Sequence, residues 1–255
     1  MEQRWPDALW IVRHGESAGN VARDAAYAQG LSVIDIAERD VDVPLSTAGE
    51  VQSEALGRWF ANMPPDERPN IVLVSPYLRA RHTAASIEEM GGVAADTITT
   101  VDERLREKEF GILDRLTRLG IEQKFPEQAE ARRRVGKFYF RPPGGESWCD
   151  VILRLRSVLD TISLHHAGQG KRVLIVAHQV IVLCMRYLVD GLDEEQILAI
   201  DREGDVANCG ITTYVIDRSH SDEGVLRLQT FNFVAPLEAA GAPVTSLPDR
   251  PAGAK

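Results

Sequence analysis

The chain has 255 residues, 44% of them hydrophobic, which suits one large α/β domain with a sizeable core. With 29 Lys and Arg against 38 Asp and Glu, its formal charge of −9 excludes the basic face that nucleic acid demands. That charge still permits a small anionic ligand held by a few converging cations. No apolar run reaches the roughly 18 residues of a membrane span, and residues 1–7 lack a signal-peptide pattern. Cys149, Cys184 and Cys209 are scattered without CxxC spacing, so a reduced, cytoplasmic protein is expected rather than a disulfide or zinc framework.

In chain order, residues 8–12 (ALWIV) form a first short apolar run of buried-strand type. Residues 21–41 are a long connection of mixed composition to which no element is assigned, either a wall over a pocket or a surface excursion. Ser46 opens a helix carrying Val51, Ala55, Leu56, Trp59 and Phe60 on one side, closed by Pro64 and Pro65. A second strand follows at 71–75 (IVLVS), then a helix from Leu78 to Met90 ended by Gly91 and Gly92. Ser147 and Asp150 make a capping box ahead of Trp148, Ile152, Leu155, Leu159 and Ile162, whose spacing of three and four predicts an amphipathic helix. A strand at 172–177, a helix from Val180 to about Val189, and strands at 211–216 and 225–233 complete the alternation. The pattern predicts a three-layer α/β/α sandwich over a mostly parallel sheet of about six strands, one domain spanning 1–234. Residues 235–255, with Pro236, Pro243, Pro248 and Pro251 among Ala and Gly, are expected to be an extended or disordered tail.

Two histidines occupy equivalent places in this pattern. His14 follows the first strand and His178 follows the 172–177 strand, where ligands of open α/β sheets bind. Arg13 adjoins His14, and Arg79 lies one helical turn beyond the end of the second strand. Two imidazoles and two guanidiniums at strand ends suit a phosphoryl group. The competing reading, a metal held by His14, His178 and Glu107, lacks HxH or HxxxH spacing, and the neighbouring arginines would repel a cation. His82, His165, His166 and His220 have no such context and are read as surface or packing residues. Glu16 reads as a first-turn helix residue favoured by the macrodipole.

The strings around these residues carry a resemblance. Arg13-His14-Gly15, with Asn20 following, resembles the RHG motif of the histidine phosphatase superfamily, the phosphoglycerate mutase-like proteins. Asp42-Val43-Pro44-Leu45-Ser46 with Gly49 is similar to its DxPL[ST]xxG string. Ser75-Pro76-Tyr77-Leu78-Arg79-Ala80 with Thr83-Ala84 resembles SPxxRAxxTA, and Leu105-Arg106-Glu107 with Gly111 resembles LxExxxG. Gly145-Glu146-Ser147 and Val176-Ala177-His178 complete six strings in family order. The resemblance implies His14 as nucleophile, Arg13, Arg79 and His178 as holders of the phosphoryl oxygens, Glu107 as proton donor and Asn20 as a supporting pocket residue. Glu103 and Glu109 compete for the acid's role, and the spacing to Gly111 favours Glu107.

These roles are chemically coherent. Phosphoryl transfer asks for positioning and charge neutralisation, which guanidinium forks supply. A neutral imidazole with one nitrogen fixed by a hydrogen bond is nucleophilic at the other. A carboxylic acid beside a bound phosphate can protonate the leaving oxygen and then activate water. No metal or cofactor is required. The expected activity is therefore a metal-independent phosphoric monoester hydrolase acting on a small phosphorylated substrate. The alternatives are a phosphomutase, a phosphoprotein phosphatase and a non-catalytic phospho-ligand module.

The short connection between Gly111 and Gly145 leaves no room for the long mutase insertion. Residues 136–190 are instead similar to the fructose-2,6-bisphosphatase branch, in Phe140-Arg141-Pro142-Pro143 before GES and in Gln179 after His178. Gln179 and Arg141 are therefore candidate substrate-binding residues. Gly144 and Leu183 stand where that branch has basic residues, which disfavours a bisphosphorylated sugar. Nothing in the sequence specifies an oligomeric state.

Overall fold

A computed structural model describes residues 4–219 and 223–246. It is a six-stranded sheet with helices on both faces. The chain runs β1 (Pro6–Arg13), α1 (Ala18–Ala28), α2 (Thr47–Ala61), β2 (Ile71–Val74), α3 (Leu78–Glu89), β3 (Ile98–Val101), α4 (Arg118–Lys124), α5 (Pro126–Val135), α6 (Trp148–His165), β4 (Gly168–Ala177), α7 (Gln179–Val189), α8 (Glu194–Glu203), β5 (Ile211–Asp217), β6 (Val225–Phe233) and α9 (Ala235–Ala239). The spatial order is β3-β2-β4-β1-β5-β6. Its first four strands are mutually parallel, and β5 runs antiparallel to both its neighbours. Among the described residues no helix is long and apolar enough to cross a membrane.

The three layers follow from strand alternation. Leu9, Ile11, Leu73, Val173 and Ile175 face one core with α6 and α7, while Ala8, Trp10, Val12, Val72, Leu174 and Val176 face the other with α2 and α3. Both faces of the central strands are thus covered, as parallel sheets require. A smaller cluster of Leu113, Ile121, Ala129 and Phe140 stands apart under α4 and α5.

Three expectations are corrected. The 21–41 connection is not without structure: α1 opens at Ser17, which caps Asn20 while the Asn20 side chain caps Ser17 in return. Glu16 precedes that helix and has no place in its first turn; its carboxylate instead accepts from the Ser46 hydroxyl at 2.6 Å. The tail is ordered through 246. Leu237 in α9 is fully buried among the α2-side core, giving 235–239 the apolar anchor that a proline-rich composition concealed. Beyond it, Gln52 Nε2 donates to the Pro243 carbonyl (2.9 Å) and to Thr245 Oγ1 (2.8 Å). Thr245 in turn donates to Asn208 Oδ1 (3.1 Å), and Asn208 Nδ2 donates to the His14 carbonyl (3.0 Å). Residues 247–255, with Pro248 and Pro251, lie outside the described residues, as does His220.

Candidate active site

Strand order brings the two histidines together. Strands β1 and β4 are parallel neighbours with Arg13 opposite Ala177, and the His14 N–H donates to the Ala177 carbonyl at 2.9 Å. On the other side of β4, the Ser75 N–H donates to the Val176 carbonyl at 3.0 Å. Three consecutive strand ends therefore deliver His14, His178 and Ser75 to one spot, and the two imidazole centroids lie 5.1 Å apart.

The loop that carries His14 is clasped by the start of α2. Ser46 N–H donates to the Glu16 carbonyl at 2.8 Å, and Ser17 bridges to Leu45. The approach is so close that a Cβ on Gly49 would stand 1.9 Å from the Glu16 carbonyl oxygen, and one on Gly15 would stand 2.5 Å from the Gly49 carbonyl oxygen. The RHG glycine and the glycine of the DxPLSxxG string are thus two sides of one contact.

The hydrogen bonds define the His14 tautomer. Its Nδ1 lies 2.6 Å from the Gly15 carbonyl, which can only accept, so Nδ1 carries the proton. Its Nε2 lies 3.2 Å from Arg79 Nε, which can only donate, so Nε2 presents a lone pair. His14 is 4% exposed, and its Nε2 faces the Arg79 guanidinium. Arg79 is oriented from behind by Asp40, to which its Nη1 donates twice: to the carbonyl at 2.6 Å and to Oδ1 at 2.9 Å. Arg13 is fully buried and anchored by Nη1 on the Val206 carbonyl at 2.5 Å.

His178 is fully buried, and burial together with Arg79, His14 and Arg13 holds its pKa well below the usual histidine value. It is therefore neutral. Ser75 Oγ lies 2.7 Å from its Nε2 and accepts from the Tyr77 N–H. The serine hydroxyl can donate to Nε2, which puts the imidazole proton on Nδ1, and that nitrogen is buried without a partner among the described residues. The Tyr77 phenol, pushed up by burial and by Asp40 and Glu109, stays protonated and donates to Glu109 Oε1 at 3.1 Å.

A cavity of about 160 Å³ opens on His14 and Arg79 and is also lined by Asn20 and Glu107, whereas the fully buried Arg13 and His178 are not among its lining residues. Glu107 is buried, and its Oε1 accepts from the Lys108 N–H at 2.7 Å. Glu103 and Glu109 do not line the cavity. Asn20 faces it, but its Oδ1 is taken by the Ser17 N–H and hydroxyl, so its first task is to cap α1. Gln179 and Arg141 are not brought to the cavity. Gln179 Nε2 bonds Asp205 at 2.7 Å, and the exposed Arg141 pairs with Asp150, while its neighbours Phe140 and Pro142 form part of the wall. The 21–41 connection is a wall as well, contributing Arg23, Tyr27, Ile34, Ile36, Glu38 and Asp40. It is tied down by Arg115, whose guanidinium donates to the Ile36 and Glu38 carbonyls.

Four cavity or supporting residues carry no assignment from the sequence: Ser75, Asp40, Lys108 and Arg132. Ser75 and Lys108 stand inside recognised strings. Arg132 lies three residues beyond Ala129 on α5, a spacing that puts both on one helix face, and both are buried.

A sequence profile of the histidine phosphatase superfamily (branch 1) matches residues 9–228. The chain belongs to that superfamily. Among histidine phosphatase relatives, a 6-phosphofructo-2-kinase/fructose-2,6-bisphosphatase of Caenorhabditis elegans is 29% identical over 71% of this chain, which spans 33% of that protein's length. A 2,3-bisphosphoglycerate-dependent phosphoglycerate mutase of Methylobacterium sp. (strain 4-46) is 30% identical over 76% of this chain and 85% of its own. The fold is shared with a mycobacterial glucosyl-3-phosphoglycerate phosphatase, with a TM-score of 0.67 and 24% identity over 91% of this chain and 99% of that one.

Proposed function

We propose that this protein hydrolyses a small phosphomonoester through a phosphohistidine at His14. The observation that supports this reading most directly is the tautomer of His14, with Nδ1–H held by the Gly15 carbonyl and the Nε2 lone pair beside Arg79.

In the first step Nε2 attacks phosphorus and the ester P–O bond breaks. The departing alkoxide takes a proton from the Glu107 carboxylic acid. Arg13 and Arg79 neutralise charge on the equatorial oxygens, and the neutral His178 donates a hydrogen bond to one of them from Nδ1. In the second step Glu107, now a carboxylate, takes a proton from water as the water attacks phosphorus. The P–N bond breaks, inorganic phosphate leaves, and His14 returns to its starting tautomer. Each half-reaction leaves Glu107 ready for the next, and neither calls on a metal ion or cofactor.

Release of inorganic phosphate from phenyl phosphate, with chelator present, tests the reading. His14→Ala is expected to abolish turnover, and acid-labile, base-stable label from a 32P ester should appear on the wild type alone. Equal turnover by the variant would sink the proposal. Isomerisation of a phosphoglycerate without phosphate release, dependent on a bisphosphorylated primer, would move the chain to the mutase activity of its relatives.

A further inference from the structure

The cavity that opens on His14 has a second cationic region. Lys108 and Arg132 line it, and each is only 6% exposed. Arg132 enters from α5, and its Nε and one terminal nitrogen are buried without a hydrogen-bond partner among the described residues. The carboxylate that acts on it through space, Asp201, is engaged by Lys137. Lys108 Nζ lies 4.5 Å from the Phe110 ring centroid and 3.5 Å from the Glu109 carbonyl, with no carboxylate in salt-bridge contact among the described residues. Glu107 and Glu146 act on it only at longer range, and Glu146 is bonded to Arg106, Arg154 and the Glu109 N–H.

Four carboxylates line the same cavity: Asp40 is held by Arg79, Asp114 Oδ1 accepts from the Arg115 N–H, Glu107 Oε1 accepts from the Lys108 N–H, and Glu38 is exposed. Among the described residues none of the four is in salt-bridge contact with the Lys108 ammonium or the Arg132 guanidinium. Two buried like charges in one wall, one of them a guanidinium with open donors, are unfavourable in a fold unless an anion joins them. The rest of the wall is largely apolar, with Ile36, Val43, Leu113, Leu116, Ile121 and Phe140 facing the cavity.

We propose that Lys108 and Arg132 form a second anion subsite, so that the substrate is an amphipathic phosphomonoester. Its leaving group carries an apolar stretch and a second anionic group, a carboxylate or a phosphate. This rests on the phosphatase reading only for the identity of the first anion, the one beside His14.

The test compares matched esters on the intact protein. Alkyl phosphates of about four to eight carbons are assayed with a terminal methyl, a terminal carboxylate or a second phosphate. The wild type is expected to favour the anion-terminated esters by roughly tenfold in kcat/KM, as charge-assisted hydrogen bonds allow, with an optimum in chain length because the ester must bridge two fixed points. Arg132→Met should bring the ratio near unity while phenyl phosphate turnover changes less than about threefold, and Arg132→Lys should restore part of the preference.

A wild type indifferent to the terminal group overturns the proposal, whatever the variants do. So does an Arg132→Met protein that folds, by its circular dichroism, yet keeps the preference or loses all esters equally. If no ester is turned over, calorimetric binding of the same compounds separates the two readings. Tighter binding of the carboxylate series would keep the subsite and discard the hydrolase, and equal binding would discard both.

Discussion

Asp40 places a carboxylate oxygen 2.9 Å from the Arg79 guanidinium, the group proposed to hold the phosphoryl oxygens. The bond orients Arg79, yet the negative charge opposes an incoming anion. Asp40→Asn keeps a side-chain acceptor and the backbone carbonyl contact while removing the charge. Inorganic phosphate is expected to inhibit that variant roughly three- to tenfold more tightly, the equivalent of about 1 kcal/mol from one partly exposed carboxylate. Weaker inhibition would mean that the charge of Asp40 positions Arg79 more than it repels phosphate. Lys108 supplies a pH signature of the second subsite. Burial, reinforced by Arg132 and opposed by Glu107 and Glu146, brings its pKa from the ordinary 10.5 down to about 8. A depressed lysine is charged below that value and neutral above it, while Arg132, at about 10, stays charged longer. The preference for carboxylate-terminated esters should therefore narrow as pH rises from 7 to 9. The ratio of kcat/KM for the two ester series reads this directly, and Lys108→Met should flatten the dependence.

Among the elements, the packing of α2 on the loop that carries His14 tolerates least. Gly49 is helical and has no conformational need to be glycine; it is glycine because the Glu16 carbonyl oxygen occupies the space of a side chain. Gly49→Ala is expected to cost about 1–3 kcal/mol, in the range of core overpacking, and to lower the melting temperature by several degrees in a protein of this size. Turnover should fall with it, because the strand-to-helix loop that must move carries His14. An unchanged melting temperature would show that α2 can slide without penalty. A different requirement applies at Gly111, where φ is +55° and a Cβ would stand 2.1 Å from the Pro143 carbonyl oxygen. There the LxExxxG string meets the loop ahead of Ser147.

At the scale of the whole molecule, what could be read from the sequence depended on burial. Strands β1, β2 and β4 announce themselves as unbroken apolar runs because both their faces are covered. Strand β3 (Ile98–Val101) has all four residues exposed at the sheet edge, so it carries no hydrophobic signal. Helix α5, rich in Arg and Glu, hides its contribution for the same reason, since Arg132 is distinguishable from Arg133 and Arg134 only once it is packed. The residues at strand ends were legible because each lies inside a local string. The cavity wall was not, because it joins 23–43, 107–116 and 121–142, segments that chain order keeps apart. Gln179 and Arg141 illustrate the converse: each stands in a family-like string, and each is turned to a partner elsewhere.

The thread from Gln52 through Thr245 and Asn208 to the His14 carbonyl gives the carboxyl-terminal segment an unusual kind of influence. It adds no group to the proposed chemistry, but it braces the loop that carries His14. A protease that clipped ahead of Pro243 would leave Gln52 and Asn208 without these partners and let the His14 backbone slacken. The damage would read in an assay as lost turnover, although every side chain proposed for the reaction was still in the chain. Residues 243–245 are therefore a handle on the His14 loop from a place far along the chain.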